Sequence, residues 1–375
     1  MSGPAPRVVM VSGSAPPVID GVGQHAAVLL EHLAAARPAW RWTHLARRFR
    51  WFHLPFGRRG AVHVVRPARG WTPAGTDAAV RALRALRPDL VHIQDQVHSF
   101  YETDAAVRLA EAANCPVVAT LHEFHTELPS VRHTIALARR ADGLIANDRR
   151  TFDRCREATG KAPDLLGWSP ANVPPADPAW GVRVIPGRLV TFGLINALKQ
   201  LDVVAEAVER VVAARPDVTW RITGPFAPES NPLHAELARR LAHHAIAFTG
   251  GTSGGAGSDR RLRTWLAQAA VMLLPYADGA AMRRTSLTAA WAFGLPVITT
   301  PPTAEEPAIV DGENCVLVAP GDLEGWARAI ERVLDDDALA ERLRQGSLRA
   351  ARQFGWEPLA TRILALYDRL LEAAR

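Results

Sequence analysis

Short apolar runs alternate with amphipathic stretches along most of this chain of 375 residues. Residues 7–12 form a β-branched run, a glycine-bearing loop occupies 13–23, and helical spacing then appears at Val28, Leu29, Leu30 and Leu33. Strand, glycine loop and helix in that order open an α/β unit. The pattern repeats: apolar runs at 90–93, 117–120 and 143–146 each follow a helix-like stretch, at 78–86, 105–113 and 133–140. Such alternation predicts a parallel sheet covered by helices on both faces.

A proline-rich stretch from Ser169 to Pro186 interrupts the series. Prolines at that density predict a stiff, extended connector. Beyond it, strands are expected at 189–192, 219–223, 247–249, 271–274 and 297–299, and helices at 201–212, 233–243, 260–269 and 286–293. The glycine-rich run 250–257 reads as a flexible loop. A final helix is expected over 358–374, and its apolar stripe of Leu359, Ile363, Leu366, Tyr367 and Leu370 needs a surface to cover it. The sequence therefore predicts an α/β protein of two doubly wound, Rossmann-like domains, over residues 1–175 and 188–353, with a helical segment over 354–375. Two such domains imply a cleft between the carboxyl ends of their sheets, where loops after strands bind ligands in folds of this class.

Composition narrows the function classes. With 48% hydrophobic and 22% charged residues the chain is ordinary globular material, neither disordered nor collagen-like. No apolar run approaches the roughly 18 residues of a membrane span. The first 17 residues hold only the short apolar core from Val8 to Val11, so no secretory leader is expected. Cys115, Cys155 and Cys315 are scattered without CxxC or His-paired spacing, which points to reduced thiols in the cytoplasm and to no metal site. The net charge is +6, yet all but two of the 44 basic residues are arginine, the exceptions being Lys161 and Lys199. With abundant Ala, Gly and Pro this bias fits GC-rich codon usage, so most arginines belong to solvated surface and a lone arginine signifies little. Either lysine signifies more.

Four loops at expected strand ends carry candidate chemistry. The first runs through Asp20, Gly21, Gly23 and His25 into a helix. Glycines there let backbone N–H groups approach an anion, aided by about half a positive charge at the helix start. This loop is neither GxGxxG nor Walker A, and a tight turn needing positive φ is the alternative. In the second loop His122, Glu123 and His125 follow the run ending at 120. A histidine just past a strand end can hydrogen-bond a substrate hydroxyl or donate to a leaving oxygen, or it can be a satisfied surface residue. In the third, Gly193 leads to Lys199 at a helix start. A cation opposes the helix dipole there, which suggests an anion shared between ammonium and helix; a solvated lysine is the alternative. The fourth holds Asp278, Arg283, Arg284, Thr285 and Ser286 ahead of an alanine-rich helix. Two guanidinium forks beside a helix capped by Thr285 and Ser286 suit a diphosphate, with plain surface charge as the alternative.

At these residues the chain resembles the retaining GT-B glycosyltransferases of family 4. Gly21-Val22-Gly23-Gln24-His25, Thr120-Leu121-His122, Phe192-Gly193 with Lys199, Ile222-Thr223-Gly224, Gly294-Leu295-Pro296-Val297-Ile298-Thr299 and Asp311-Gly312-Glu313-Asn314 fall in that family's order. Phe354-Gly355-Trp356 precedes a helix that in the family crosses back onto the N-terminal domain. The resemblance spans almost the whole chain and is strongest over 275–322. It implies an acceptor-side N-terminal domain, a nucleotide-sugar-binding C-terminal domain, and transfer of a sugar from a nucleoside diphosphate to a hydroxyl acceptor with retention. By the same resemblance Gly21 and Gly23 would face the sugar-diphosphate, His122 the transferred sugar, and Lys199 the leaving diphosphate. The N–H groups of Thr285 and Ser286 would hold the distal phosphate, with Gly193 beside them, and Asp20, His25 and Glu123 would line the acceptor side. No prosthetic group or metal is implied, because protein cations and helix dipoles stabilise the leaving group.

Two departures from the family bear on function. Its Glu-x7-Glu pair falls on Ala281 and Ala289, and the arginine usual after the loop-three glycine is Leu194. Arg283 or Arg284 would supply the missing cation, and Asp278 or the consecutive Glu305 and Glu306 would take over ribose recognition. These losses keep open a non-catalytic nucleotide-sugar-binding or partner-activating protein; a nucleotide-sugar epimerase or phosphorylase on the same fold is a further alternative, and the lost pair argues against an epimerase, which would want carboxylates in the cleft. Between Arg37 and Thr76 there is no Asp or Glu but nine arginines, interleaved with Trp40, Trp42, Phe49, Trp51, Phe52 and Phe56. That stretch stands outside the expected scaffold, either as a contact with an anionic membrane surface or as a basic wall of the acceptor site. No nucleic-acid-binding motif accompanies it. A cytoplasmic protein, peripheral at most to the inner membrane face, is the expectation.

Overall fold

The computed structural model describes residues 5–18, 20–49, 54–243, 245–248 and 256–375. Contacts divide the chain into two compact units, one of Met1–Trp168 with Trp356–Arg375 and one of Ser169–Gly355. The first unit runs β1 (Arg7–Ser12), α1 (Gly21–Ala36), β2 (Arg41–Leu45), β3 (Phe56–Arg59), β4 (Val62–Val65), α2 (Pro73–Leu86), β5 (Leu90–Asp95), α3 (Ala105–Ala112), β6 (Val117–Leu121), α4 (Val131–Arg140), β7 (Gly143–Ala146), α5 (Arg149–Thr159) and β8 (Leu165–Leu166). Over the described residues its sheet has the order β3-β4-β2-β1-β5-β6-β7-β8, parallel apart from the β3–β4 hairpin. Val9 of β1 pairs with Thr43 on one side and Val91 on the other. Val8 to Val11 are fully buried because helices cover both faces, which is why the strand is apolar at successive positions instead of alternating.

The second unit runs β9 (Arg188–Phe192), α6 (Leu201–Ala214), β10 (Thr219–Thr223), α7 (Pro232–Arg240), β11 (Ile246–Phe248), α8 (Ala256–Ala267), β12 (Val271–Leu274), α9 (Thr285–Ala292), β13 (Val297–Thr299), β14 (Val316–Leu317), α10 (Leu323–Asp335) and α11 (Asp337–Gln353). Its described strands form a parallel sheet in the order β11-β10-β9-β12-β13-β14. Strand order reverses at β1/β5 in the first sheet and at β9/β12 in the second, and such switch points leave a crevice at the strands' carboxyl ends. All four candidate loops leave strands that flank these points or follow directly from them.

The chain then returns to the first unit as α12 (Trp356–Ala373), which packs against α1. Leu359, Ile363, Leu366 and Tyr367 are buried there, so the predicted stripe has its cover. Glycine at position 143 in β7 eases that docking, since a Cβ would lie in tight contact, 3.0 Å from Leu370 Cδ1.

Several expectations need correction. The arginine-rich segment is not outside the scaffold: β2, β3 and β4 all arise in it, and Trp42 is buried. Phe49 and Phe56 are exposed, whereas Trp51 and Phe52 lie outside the described residues. Residues 169–186 are no free connector. Ser169 N–H donates to Met282 O, Arg263 donates to Pro175 O, Ile185 N–H donates to Gln268 O, and the Arg260 and Arg263 guanidinium groups lie 5.0 and 4.6 Å from the Trp180 ring. Gly257, expected in a flexible loop, belongs to α8, and residues 250–255 and Thr249 are outside the described residues. Among the described residues, no helix is long and apolar enough to cross a membrane.

One glycine inverts the usual propensity rule. Ala is worth about 1 kcal/mol more than Gly in a helix interior, yet a Cβ on Gly346 of α11 would sit 1.8 Å from the Glu313 carbonyl oxygen. Gly346→Ala is therefore expected to destabilise the protein by about 1–3 kcal/mol, read as a lowered unfolding midpoint in urea. A raised midpoint would show the Glu313 loop to be compliant.

Candidate active site

In the first unit α1 starts earlier than expected, at Gly21, and Asp20 is its N-cap. Asp20 Oδ2 accepts from Gly23 N–H at 3.0 Å and from Ser14 Oγ at 2.6 Å, so this carboxylate is engaged in shaping the loop. Gly21 and Gly23 are both helical, which removes the positive-φ turn as their explanation. A Cβ on Gly23 would meet Ser14 Oγ at 2.5 Å, while one on Gly21 would meet nothing within 4 Å. Gly23 is a packing glycine; Gly21 borders open space.

His122 follows β6, buried, with its backbone N–H donating to Asp95 O at 3.0 Å. Both ring nitrogens are occupied: Nδ1 lies 2.9 Å from Asn147 Nδ2 and Nε2 lies 2.8 Å from Gln94 Oε1. The amide N–H of Asn147 must donate to Nδ1, so the ring proton sits on Nε2 and is given to Gln94. Burial pushes His122 down to about 4, so it is neutral near pH 7. His25 of α1 packs edge-on against His122 at 4.8 Å and tilted against Trp356 at 4.9 Å. Burial first, and then His122, hold His25 well below the ordinary range, and its Nδ1 has no hydrogen-bond partner among the described residues. Glu123 is partly exposed; its Oε2 accepts from His125 Nε2 at 2.9 Å and Gln96 Nε2 at 3.3 Å. The bond to Glu123, and then a bond from His125 Nδ1 to Glu127 Oε1 at 2.8 Å, raise His125. The sequence reading missed Gln94 and Asn147. For Gln94 the available signal was its period-two spacing from His92 in β5, which puts both polar side chains on one face.

The second unit gathers the cations. Lys199 is buried, and its Nζ donates to Phe192 O at 2.8 Å. It is neither solvated nor without structural purpose. Burial and then Arg284 lower it to about 7. Gly193, at φ +116°, makes room for it: a Cβ there would lie 3.0 Å from Lys199 Nζ and 3.5 Å from Ser286 Cβ. Gly224 lets the next strand end approach equally closely, since its Cβ would meet Gly193 O at 2.0 Å. The third and fourth loops of the sequence therefore meet at one spot, where Gly193 and Lys199 lie beside the start of α9.

The expected Thr285-Ser286 cap is not made. Arg284 is the N-cap, without a side-chain bond, and Ser286 Oγ instead pairs with Tyr276 Oη at 2.6 Å. The N–H groups of Thr285 and Ser286 carry no hydrogen bond among the described residues. Arg283 donates to Asp278 Oδ2 at 2.9 Å and Arg284 donates to Asp278 Oδ1, so one carboxylate bridges the two guanidinium groups. Arg284 also lies over the Tyr276 ring at 4.7 Å. Asp278 is thus the arginines' counter-ion. Glu306 is buried, with Oε1 accepting from Met282 N–H at 3.4 Å, whereas Glu305 is exposed. Ala281 and Ala289 are buried.

Comparison with known proteins supplies the class. The family model described as glycosyl transferases group 1 matches residues 186–336, and that of glycosyltransferase family 4 matches 19–165. D-inositol 3-phosphate glycosyltransferase of Nocardioides sp. is 30% identical over 191 residues, spanning 48% of this chain and 41% of that protein. Glycogen synthase of Mycobacterium tuberculosis is 27% identical over 417 residues, 96% of this chain and 94% of the relative. Among solved structures, sucrose-phosphate synthase from Thermosynechococcus elongatus matches with TM-score 0.79 and 17% identity over 98% of this chain and 100% of the other. HepE from Anabaena, in complex with UDP and glucose, matches with TM-score 0.71 and 17% identity over 97% and 100%. Two Rossmann-like sheets with these matches define a GT-B glycosyltransferase. Within that class the chain belongs to the family 4-like enzymes.

Lys199 leaves a signature in the pH dependence of folding. Its folded value of about 7 lies below the usual lysine value of 10.5, so between these pH values the unfolded chain binds more protons and stability rises with pH. Lys199→Met removes that contribution. The stability of wild type relative to the variant should therefore climb from pH 7 to pH 9 in urea titrations; parallel pH dependences would contradict a desolvated ammonium.

Proposed function

We propose that the protein transfers a sugar from a nucleoside-diphosphate donor to a hydroxyl acceptor with retention of configuration, the second unit holding the donor and the first the acceptor. The observation that carries this reading is the cluster of Lys199, Arg284 and the start of α9 around Gly193. Desolvated cations and unpaired helix N–H groups in one place match a diphosphate whose negative charge grows as the bond to the sugar breaks. The acceptor oxygen attacks the anomeric carbon on the face that the diphosphate leaves. The acceptor's proton passes to the departing phosphate oxygen, so no strong protein base is required. Lys199 and Arg284 take the leaving charge, Arg283 reinforces it, and the N–H groups of Thr285 and Ser286 hold the distal phosphate. Asp278 orients the arginines, which leaves ribose recognition to Glu305 or to backbone groups.

His122 fits this chemistry as a neutral group. A glycosyl-transfer transition state develops positive charge at the anomeric carbon, and a protonated imidazole beside it would oppose that charge. Holding His122 down to about 4 removes the conflict at neutral pH. Gly21, bordering open space, would admit the sugar-diphosphate, and His25 and Glu123 would line the acceptor side.

Ala281 and Ala289 at the positions of the family's carboxylates favour one alternative, a protein that binds the donor and does not turn it over. Thermal shifts with UDP, GDP, ADP and dTDP identify the base, since a ligand at 100 Kd stabilises by about 2.7 kcal/mol. Transfer is then sought over a broad acceptor panel; donor binding without transfer to any acceptor favours the alternative. In the enzyme, Lys199→Ala or Arg284→Ala should each lower kcat by about 10²–10³, and unchanged turnover in both would overturn the leaving-group site.

Protonation offers a separate check. A diphosphate beside Lys199 raises its value from about 7, so nucleotide binding at pH 8 should take up protons. Calorimetry in two buffers of different ionisation enthalpy measures this. Uptake that persists in Lys199→Met would assign it elsewhere.

A further inference from the structure

The contacts of His122 continue well beyond the loop that carries it. Gln94, which accepts the His122 Nε2 proton, lies with its Nε2 3.1 Å from His92 Nε2 on the same strand. His92 Nε2 also lies 2.7 Å from Thr120 Oγ1, and His92 Nδ1 is 2.5 Å from Tyr367 Oη of α12. Period-two geometry puts His92 and Gln94 on one face of β5, the face toward which Tyr367 projects. His92, Gln94, Thr120, His122, Asn147 and Tyr367 are all buried.

Each link has a fixed polarity, and the polarities agree. Asn147 donates to His122 Nδ1; His122 donates from Nε2 to Gln94 Oε1; Gln94 donates from its amide to His92 Nε2. An imidazole accepting at Nε2 must carry its proton on Nδ1, and that proton goes to Tyr367 Oη. The chain of donors runs in one direction and ends on the phenol oxygen. Thr120 Oγ1, 2.7 Å from His92 Nε2, donates to the same nitrogen as the Gln94 amide; among the described residues His25 meets His122 through its ring edge, Met10 Sδ lies 3.8 Å from the Gln94 amide, and Asp95 takes the Thr134 hydroxyl.

We propose that Tyr367 is a positioning residue: from α12 it sets, through His92 and Gln94, which nitrogen of His122 bears the proton. This rests on the reading of His122 as part of the sugar site, and names what fixes its hydrogen-bonding character there. With the phenol oxygen removed, the His92 Nδ1 proton has no acceptor. Moving it to Nε2 lets His92 donate to Thr120, turns the Gln94 and Asn147 amides about, and transfers the His122 proton from Nε2 to Nδ1, where the Asn147 oxygen then accepts it. Ring position, packing and burial stay as they are, while the donor and acceptor ends of His122 exchange.

The test is the tautomeric state of His92 and His122, read from imidazole 15N shifts of the free full-length protein at pH 7.5. In the wild type the expected protonated nitrogens are Nδ1 of His92 and Nε2 of His122; Tyr367→Phe, which keeps the ring, should exchange both. A wild-type His122 protonated on Nδ1, or an unchanged His122 in Tyr367→Phe, overturns the proposal. Gln94→Glu gives a second reading: a carboxylate facing Nε2 should raise the His122 titration midpoint by at least one pH unit, and a midpoint left in place counts against the relay. Because these spectra need no substrate, they judge the relay separately from glycosyl transfer. Wild-type rates of nucleotide release in His122→Ala would instead remove His122 from the sugar site.

Discussion

A polar side chain buried beneath a sheet must have its hydrogen-bonding groups met or cost about 1–3 kcal/mol for each one left bare, and in the first unit this requirement links four elements. β5 brings His92 and Gln94, β6 brings Thr120 and leads to His122, the end of β7 leads to Asn147, and α12 brings Tyr367. None of these side chains could stay buried by itself. The histidines are neutral because they are dry, and neutral imidazoles can alternate as donor and acceptor along a chain.

The second unit meets the same constraint with charges. Two adjacent guanidinium groups would repel each other, and Asp278 between them lets both stay largely buried. Lys199 makes do with a carbonyl oxygen, and burial beside Arg284 lowers it to about 7. A buried cation held by so little is poised to gain from an arriving anion. The contrast between the units suits their proposed roles: neutral and hydrogen-bonded where positive charge would develop on a sugar, cationic where negative charge would develop on a phosphate.

The sequence displayed the fold wherever strands are buried on both faces. β1, β6 and β12 are nearly continuous apolar runs, and such runs are visible at a glance. β2 was hidden because Arg41-Trp42-Thr43-His44-Leu45 looks like basic surface, although its His44 is dry and bonded to Ser12 Oγ. β3 lies at the sheet's edge and β14 has two residues, too short for any periodicity. In the site, Lys199 stood out by rarity and the arginines by adjacency. The Asp278 bridge was legible in principle, five and six residues ahead of its partners. The far end of the hydrogen-bonded chain behind His122 was not, since His92 and Tyr367 are 275 positions apart and only the folded chain brings them together.

That separation has a consequence for how the molecule is made. The first unit buries Leu359, Ile363 and Tyr367 in its own interior, yet the chain reaches them only after the whole second unit has been synthesised. At about 5–20 residues per second, roughly ten to forty seconds pass between the emergence of Trp168 and that of α12. During that interval the face of the first sheet that receives α12 is uncovered, with His92 lacking its phenol partner. The second unit, contiguous in sequence, can finish first. The first unit is thus completed by the last segment of the chain to be made.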